Sequence, residues 1–309
     1  MKGLVYKSTG SWYTVRSSEG TIYPCRIKGK FRIDGIKSTN PIAVGDRVEF
    51  ELETADQETR GVITKIEKRE NYIIRKSVNL SKQTHIIASN IDQVFLMVTL
   101  NNPPTFPAFI DRFLVTAEAY HIPAILLFNK MDSYTEEEKE EIRKLKKVYE
   151  AIGYPTYEIS AKKGLNIAQL KELMRNKVGM ISGHSGVGKS TLINAIAPGL
   201  NLQTSAISEV HKQGTHTTTF AEMYTLSEGI KIIDTPGIKG FGMVDMEPSE
   251  IGNYFPEFLK SKEGCKFHNC LHQKEPKCAI IDSVDQGRIA KSRYDSYLQM
   301  ITEDNSYRN

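Results

Sequence analysis

The sequence predicts a multidomain chain: an N-terminal OB-type β-barrel over residues 1–75, a linker over 76–90, a central α/β P-loop domain over 91–245, and a small helical zinc-binding domain over 246–309. Three observations predict it. The first 75 residues hold short β-rich runs separated by glycine-containing turns. From residue 91, apolar strand-sized runs alternate with helical ones, and the stretch Gly183-His184-Ser185-Gly186-Val187-Gly188-Lys189-Ser190 follows one of them. Near the C-terminus Cys265, Cys270 and Cys278 cluster with histidine.

Composition bounds the reading. Hydrophobic residues are 39% and charged residues 25% of 309, as in a globular protein. No apolar run approaches the roughly 20 residues that span a bilayer. Met1-Lys2-Gly3-Leu4-Val5-Tyr6 soon turns polar and lacks a signal-peptide core. A cytoplasmic location and no membrane partner are therefore expected. The net charge of +4 is mildly basic and compatible with RNA contact. In a cytoplasmic protein the cysteine cluster suggests metal before disulfide, while Cys25 stands alone and reads as a small strand residue.

The barrel rests on Leu4-Val5-Tyr6, Trp12-Tyr13-Thr14-Val15, Thr21-Ile22-Tyr23, the turn and period-2 run from Pro41 to Phe50, and Gly61 to Ile66. About five short strands in that length fit a small closed barrel. Lys28, Lys30 and Arg32 around Phe31 read either as an oligonucleotide contact or as solvated residues of a β-hairpin. Residues 76–90 begin polar and read as a linker.

In the central domain, Val94 to Val98 and Ala124 to Phe128 are continuous apolar runs, as parallel strands buried on both faces require. Phe109 to Tyr120 reads as a helix. Thr135 to Ile152 reads as an amphipathic helix with Ile142, Leu145, Val148, Tyr149 and Ile152 on one face, and its acidic run from Glu136 to Glu141 as a solvated surface near the helix start. Thr156 to Ile159 is a third strand. The alternation predicts a doubly wound sheet, whose ligands sit at the carboxyl ends of its strands.

Gly183 to Ser190 matches the P-loop pattern G-x-x-x-x-G-K-[ST] at every fixed position, with a strand at Val178–Ser182 before it and a helix from Thr191 after it. Glycines let successive N–H groups approach phosphate oxygens, and the following helix turns its positive end to the same anion. Lys189 is placed to reach the β- and γ-phosphates, and the Ser190 hydroxyl to ligate Mg²⁺. His184, Ser185, Gly186, Val187, Gly188 and Thr191 complete the nucleotide-binding stretch.

Two further motifs end strands: Asn129-Lys130-Met131-Asp132 and Ser160-Ala161-Lys162. They resemble the guanine-reading N-K-x-D and S-A-K motifs of P-loop GTPases. Guanine offers two adjacent donors, N1–H and the exocyclic amino group, and one carboxylate such as Asp132 accepts both. Adenine leaves that carboxylate facing an acceptor, so buried polar pairing discriminates strongly. Lys130 can lay its aliphatic stem over the base, Asn129 can brace the neighbouring loops, and the Ala161 N–H can meet the guanine oxygen. In ordinary GTPases the P-loop comes first; here it follows the base-reading motifs, which a circular permutation explains.

Downstream lies Gly214-Thr215-His216-Thr217-Thr218-Thr219, in which Thr218, with Thr217 close behind, is the candidate Mg²⁺ ligand and γ-phosphate sensor. A strand from Ile230 ends in Asp234-Thr235-Pro236-Gly237, with Asp234 toward Mg²⁺ through water and the Gly237 N–H toward the γ-phosphate. The next residue, Ile238, cannot orient water as a glutamine does. His216 is the candidate catalytic group in this chain, and its alternative is a solvent-facing loop residue. Weak intrinsic turnover accelerated by a partner is the expectation.

The C-terminal pattern C-x4-C-x-H-x5-C places Cys265, Cys270, His272 and Cys278 as a closed tetrahedral zinc set, with His268 as the competing ligand. Flanks at about 248–260 and 283–303 read as helices, and Lys260, Lys262, Lys266, Lys274 and Lys277 surround the cluster.

Taken together, the N-K-x-D, G-x-S-G-V-G-K-S, G-x-H-T-T-T, D-T-P-G and cysteine–histidine segments, in this order, resemble the ribosome small-subunit-dependent GTPase A family (RsgA, also called YjeQ) over nearly the whole chain. The resemblance implies a GTPase that acts late in small ribosomal subunit maturation, binds the subunit and its rRNA near the decoding centre, and is stimulated by it. GTP or GDP, Mg²⁺ and one structural zinc ion are the implied cofactors. Nothing calls for more than a monomer. Thr215 stands where a basic residue is common in the family.

Overall fold

A computed structural model describes residues 1–27, 41–55, 58–76, 84–198, 221–234 and 246–306. The chain divides into two compact units, one of Met1–Val94, Ile167–Ile181 and Ser190–Ile238, the other of Phe95–Asn166, Ser182–Lys189 and Lys239–Asn309.

The first unit begins with β1 (Lys2–Ser8), β2 (Tyr13–Ser17), β3 (Ile22–Ile27), β4 (Arg47–Ala55) and β5 (Glu58–Ile66). Their order is β1-β2-β3-β5-β4, and β4 returns to pair with β1, so the sheet closes into the expected barrel. Alternation drives the closure: Tyr13, Val15 and Ser17 of β2 point inward and the residues between them outward. Val5, Tyr13, Val15, Cys25, Val48, Phe50 and Ile63 form the interior. Burial pushes the Cys25 thiol up to about 11, which fits an inert core residue.

Asp46, fully buried, accepts two hydrogen bonds of 2.6 Å from the Arg69 guanidinium and one of 2.6 Å from the Ser89 hydroxyl. That partner set satisfies a carboxylate that burial alone would disfavour. Ser89 ends β7 (Thr84–Ser89), which pairs antiparallel with β6 (Tyr72–Lys76). The stretch read as a linker therefore carries a strand: Ile86 and Ala88 are buried, and their alternation outweighs the polar start of the segment.

β8 (Gln93–Val98) and β9 (Ala124–Phe128) are buried along their whole lengths, and β10 (Thr156–Glu158) runs parallel to β9. Between them come α1 (Pro107–Ala119), started by a proline at its first position, and α2 (Glu136–Ile152). Thr135 and Glu138 form a reciprocal capping box at the start of α2. Ile142 and Tyr149 are its buried residues, while Glu136, Glu137, Glu140 and Glu141 are exposed, as a solvated face requires.

The chain continues with α3 (Ile167–Met174), β11 (Val178–Ser182), α4 (Lys189–Ile196), β12 (Glu222–Thr225) and β13 (Lys231–Asp234). Within the first unit β13 runs parallel to β11 and antiparallel to β12, and β12 pairs with the barrel strand β1 at Lys7 and Glu222.

The C-terminal region holds α5 (Pro248–Ile251), α6 (Pro256–Ser261), α7 (Ala279–Asp285) and α8 (Lys291–Ser306). Each flanking helix expected here is interrupted. Pro256 restricts the residue before it, and Phe255 is extended at φ −106° and ψ 102°, so α6 starts anew. Gly287, at φ +70°, ends α7: its N–H bonds Val284 O at 2.9 Å and the Arg288 N–H bonds Ser283 O at 2.8 Å, a Schellman stop. Phe255, Phe258, Ile280, Tyr297 and Met300 form a core that takes in Val115 of α1.

Candidate functional site

The P-loop runs from the end of β11 into α4. Gly183, Gly186 and Gly188 all adopt positive φ, at 144°, 85° and 105°. At Gly188 the need for glycine is steric as well, since a Cβ there would stand 2.5 Å from Nδ2 of Asn129. Lys189 donates to the carbonyls of Gly183 at 2.6 Å and His184 at 2.7 Å, so its ammonium lies in the curl of the loop. Ser185 and Gly186 are exposed and Val187 is fully buried, which anchors the loop by one side chain while its rim faces solvent. The His184 ring packs on Phe109 of α1 with centroids 4.0 Å apart, and burial followed by the Lys189 charge lowers its pKa. Ser190 and Thr191 follow in the first turn of α4.

The base-reading candidates converge on this loop. Asn129, 2% exposed, donates from Nδ2 to Val187 O at 2.8 Å and accepts the Ala161 N–H on Oδ1 at 3.0 Å. One amide thus joins three motifs separated in sequence. The Ala161 N–H, expected to face a guanine oxygen, is engaged by Asn129. Asp132 is exposed, and the buried Ser160 hydroxyl donates to its Oδ1. That contact orients the carboxylate while leaving its other oxygen open to a ligand. Lys130, at φ 68°, donates from Nζ to the carbonyls of Asn102 and Gly186. Burial lowers its pKa, with Asp132 acting in the opposite sense. Lys162 is exposed.

The carbonyl of Asn102 belongs to the loop after β8, to which the motifs assign no part. Its position was nonetheless signalled, because it leaves the carboxyl end of a buried parallel strand, where ligands of such sheets bind.

Cys265, Cys270, His272 and Cys278 bring their ligand atoms within 4.8 Å of one another. His272 Nδ1 lies 3.7 Å from Cys265 Sγ and 3.4 Å from Cys278 Sγ, and the two sulfurs are 4.0 Å apart. A tetrahedral zinc ion with ordinary bond lengths separates its sulfurs by about 3.8 Å and sulfur from nitrogen by about 3.6 Å. The donor set and spacing therefore fit zinc, and among the described residues the cluster takes His272 rather than His268. Tyr294 and Tyr297 donate their hydroxyls to the carbonyls of His272 at 2.6 Å and Leu271 at 2.7 Å, which fixes the knuckle from α8.

His216, Thr217, Thr218, Gly237 and Ile238, the side chain of Asp234, and Lys28, Lys30, Phe31 and Arg32 lie outside the described residues.

Residues 183–189 of the P-loop and both strand-end motifs thus lie in one unit. The family model described as RsgA GTPase matches residues 66–244, and that described as RsgA N-terminal domain matches residues 2–63. The chain belongs to the RsgA GTPase family. It is 66% identical to the small ribosomal subunit biogenesis GTPase RsgA of Christiangramia forsetii, over 100% of this chain and 98% of that one. It is 60% identical to the protein of the same description from Flavobacterium psychrophilum, over 100% and 95%. Among solved structures, YjeQ from Thermotoga maritima matches with a TM-score of 0.79 at 37% identity, over 98% of this chain and 97% of that one. YloQ, described as a circularly permuted GTPase, matches at 0.76 and 30%, over 99% and 95%. As an RsgA GTPase the chain is a GTP hydrolase, and the inverted order of its motifs is that of a permuted family.

Proposed function

We propose that this GTPase serves small ribosomal subunit biogenesis: it binds the subunit and its rRNA, acts late in maturation, and hydrolyses GTP to GDP and phosphate faster when the subunit is bound. The observation that carries the guanine-nucleotide site is Asn129, whose amide ties Val187 of the P-loop to Ala161 while Asp132 stays exposed beside them. The descriptions of the relatives support the choice of particle.

In this reading Asp132 accepts the two guanine donors and Lys130 covers one face of the base. Gly183 to Gly188 wrap the phosphates, and Lys189 exchanges its loop carbonyls for phosphate oxygens. Ser190, Thr218 and Asp234 hold Mg²⁺; they offer the hard oxygen donors that ion prefers, and when bound it neutralises charge on the phosphates. His216 is the catalytic group that orients water in place of the missing glutamine at Ile238, and Gly237 senses the γ-phosphate. Cys265, Cys270, His272 and Cys278 hold one structural zinc, which leaves no open position for chemistry. The protein works in the cytoplasm as a monomer, and its functional divisions fall near residues 75, 90 and 245.

The test is GTP hydrolysis by the purified protein with and without small ribosomal subunits, with ATP as control. Strong stimulation that is specific to GTP is expected. Equal rates with and without subunits would remove the proposed partner and leave the guanine site standing.

A further inference from the structure

The ammonium of Lys130 is held by two carbonyls, Gly186 O at 2.9 Å and Asn102 O. The second belongs to residues 99–105, a loop that closes on itself: Thr105 N–H bonds Thr99 O at 2.8 Å, and Thr99 Oγ1 donates to Pro103 O at 2.6 Å. Internal closure shapes this loop without fixing where it sits. Two side chains from the start of α2 do that. Tyr134, 6% exposed, accepts the Leu100 N–H on its hydroxyl at 3.0 Å. Glu138 accepts from Asn101 Nδ2 at 2.7 Å on Oε1, while its Oε2 takes the Thr135 N–H of the capping box.

Tyr134 and Glu138 follow Asp132 by two and six residues, so one short segment both carries Lys130 and secures the carbonyl that captures Lys130. We infer that Tyr134 and Glu138 are positioning residues for the purine: they fix residues 100–102 so that the Asn102 carbonyl holds the Lys130 stem as one wall of the base slot. This rests on the guanine-nucleotide reading given above. The geometry explains why the tyrosine carries a hydroxyl in an otherwise buried position, and why a residue already committed to a helix cap has a second partner outside the helix. A phenylalanine at 134 keeps the ring packing and strands the Leu100 N–H, which loosens the loop.

The test is GDP affinity by equilibrium binding, read through a double-mutant cycle with Lys130→Ala. Tyr134→Phe is expected to weaken GDP binding about fivefold to tenfold in the parent, and by less than about twofold once Lys130 is alanine. Glu138→Ala should follow Tyr134→Phe, whereas Glu138→Gln, whose single amide oxygen can accept from Asn101 Nδ2 or from the Thr135 N–H but not from both, should fall between Glu138→Ala and the parent. Thermal unfolding without nucleotide confirms that each variant is folded, and the Glu138 pair carries the same cycle if Tyr134→Phe is not. Unchanged GDP affinity in both Tyr134→Phe and Glu138→Ala overturns the inference, as does a loss that persists in full in the Lys130→Ala background. A parent protein that binds no guanine nucleotide instead overturns the reading of the site itself.

Discussion

The guanidinium of Arg293 in α8 donates from Nη1 to Oδ1 of Asp111 in α1 at 2.8 Å, with the two side chains 1% and 0% exposed. The same guanidinium reaches both oxygens of Glu257, at 2.7 and 3.2 Å, and lies over the Phe255 ring. Tyr149 of α2 donates its hydroxyl to Asp111 at 2.9 Å. The arginine thus fastens the C-terminal helices to α1 through Asp111, and Tyr149 of α2 joins the same carboxylate. Burial opposes its charge, yet Asp111 and Glu257 outweigh burial and raise its pKa, so it remains a cation throughout the working range.

Arg293→Met removes that cation and leaves buried carboxylates uncompensated, a loss of about 3–5 kcal/mol. Chemical denaturation should show it as a lower midpoint. Burial already raises the Asp111 pKa against its hydrogen bonds. A carboxyl with a raised folded-state pKa binds its proton more tightly in the native state, so stability falls as pH rises from the unfolded value through the folded one. The variant should therefore lose more stability than the parent on going from acid to neutral pH. Asp111→Asn, neutral and of the same shape, should cost less than Arg293→Met; an equal or larger cost would mean that hydrogen-bond geometry, and not charge, dominates the cluster.

Asp132 is the exposed end of a hydrogen-bonded chain that runs through Ser160. Asp132→Asn exchanges an acceptor for a donor at the oxygen left open to the base. Guanine, which presents donors there, should bind on the order of a hundredfold more weakly. Xanthine presents a carbonyl where guanine has its amino group, and should gain relative to guanine. Parallel binding of GDP and XDP checks this, and a variant that loses both equally would point to collapse of the loop.

Contiguous chemistry is what the sequence makes legible. The P-loop is written in consecutive residues, the barrel in alternation such as Tyr13-Thr14-Val15, and the buried strands in unbroken apolar runs such as Ala124–Phe128. What escapes is partnership at a distance. Nothing near Arg293 announces Asp111, 182 residues away, and nothing near Tyr134 announces the Leu100 N–H. The cysteine–histidine motif lies between these cases: its spacing admits His268 or His272, and only the turn that brings His272 Nδ1 against two sulfurs favours the second. Helix ends also escape where a single residue overrides periodicity, at Pro256 and Gly287.

Gly188 offers a narrow test of how the P-loop and Asn129 fit. A methyl group at this position meets Asn129 Nδ2 at 2.5 Å, on a backbone whose φ of 105° already disfavours a side chain. Asn129 must then move, and its bonds to Val187 and Ala161 go with it. Gly188→Ala should weaken GTP and GDP binding on the order of a hundredfold, with a smaller effect on unfolding in the absence of nucleotide. Isothermal titration separates the two, and near-parental affinity would show that Asn129 has room to yield.

Zinc in the C-terminal cluster should be coupled to protons. Burial lowers the His272 pKa, so the imidazole is neutral and ready to coordinate at pH 7. The thiols stand on the other side: burial pushes Cys270 up to about 12 and raises Cys278, so without metal they are protonated, and zinc must displace those protons to bind. Zinc affinity should rise with pH, as Cys270 and Cys278 give up their protons to bind as thiolates. Titration with a competing chelator at several pH values measures the slope directly. Cys278, 2% exposed, sits at the head of α7, so Cys278→Ser should lower both metal content and the unfolding midpoint. Because Tyr294 and Tyr297 tie the knuckle to α8, metal removal should also loosen that helix, which hydrogen exchange would read as lost protection around Arg293 to Met300. A chelated protein with unchanged exchange there would show that the α8 core stands without the metal.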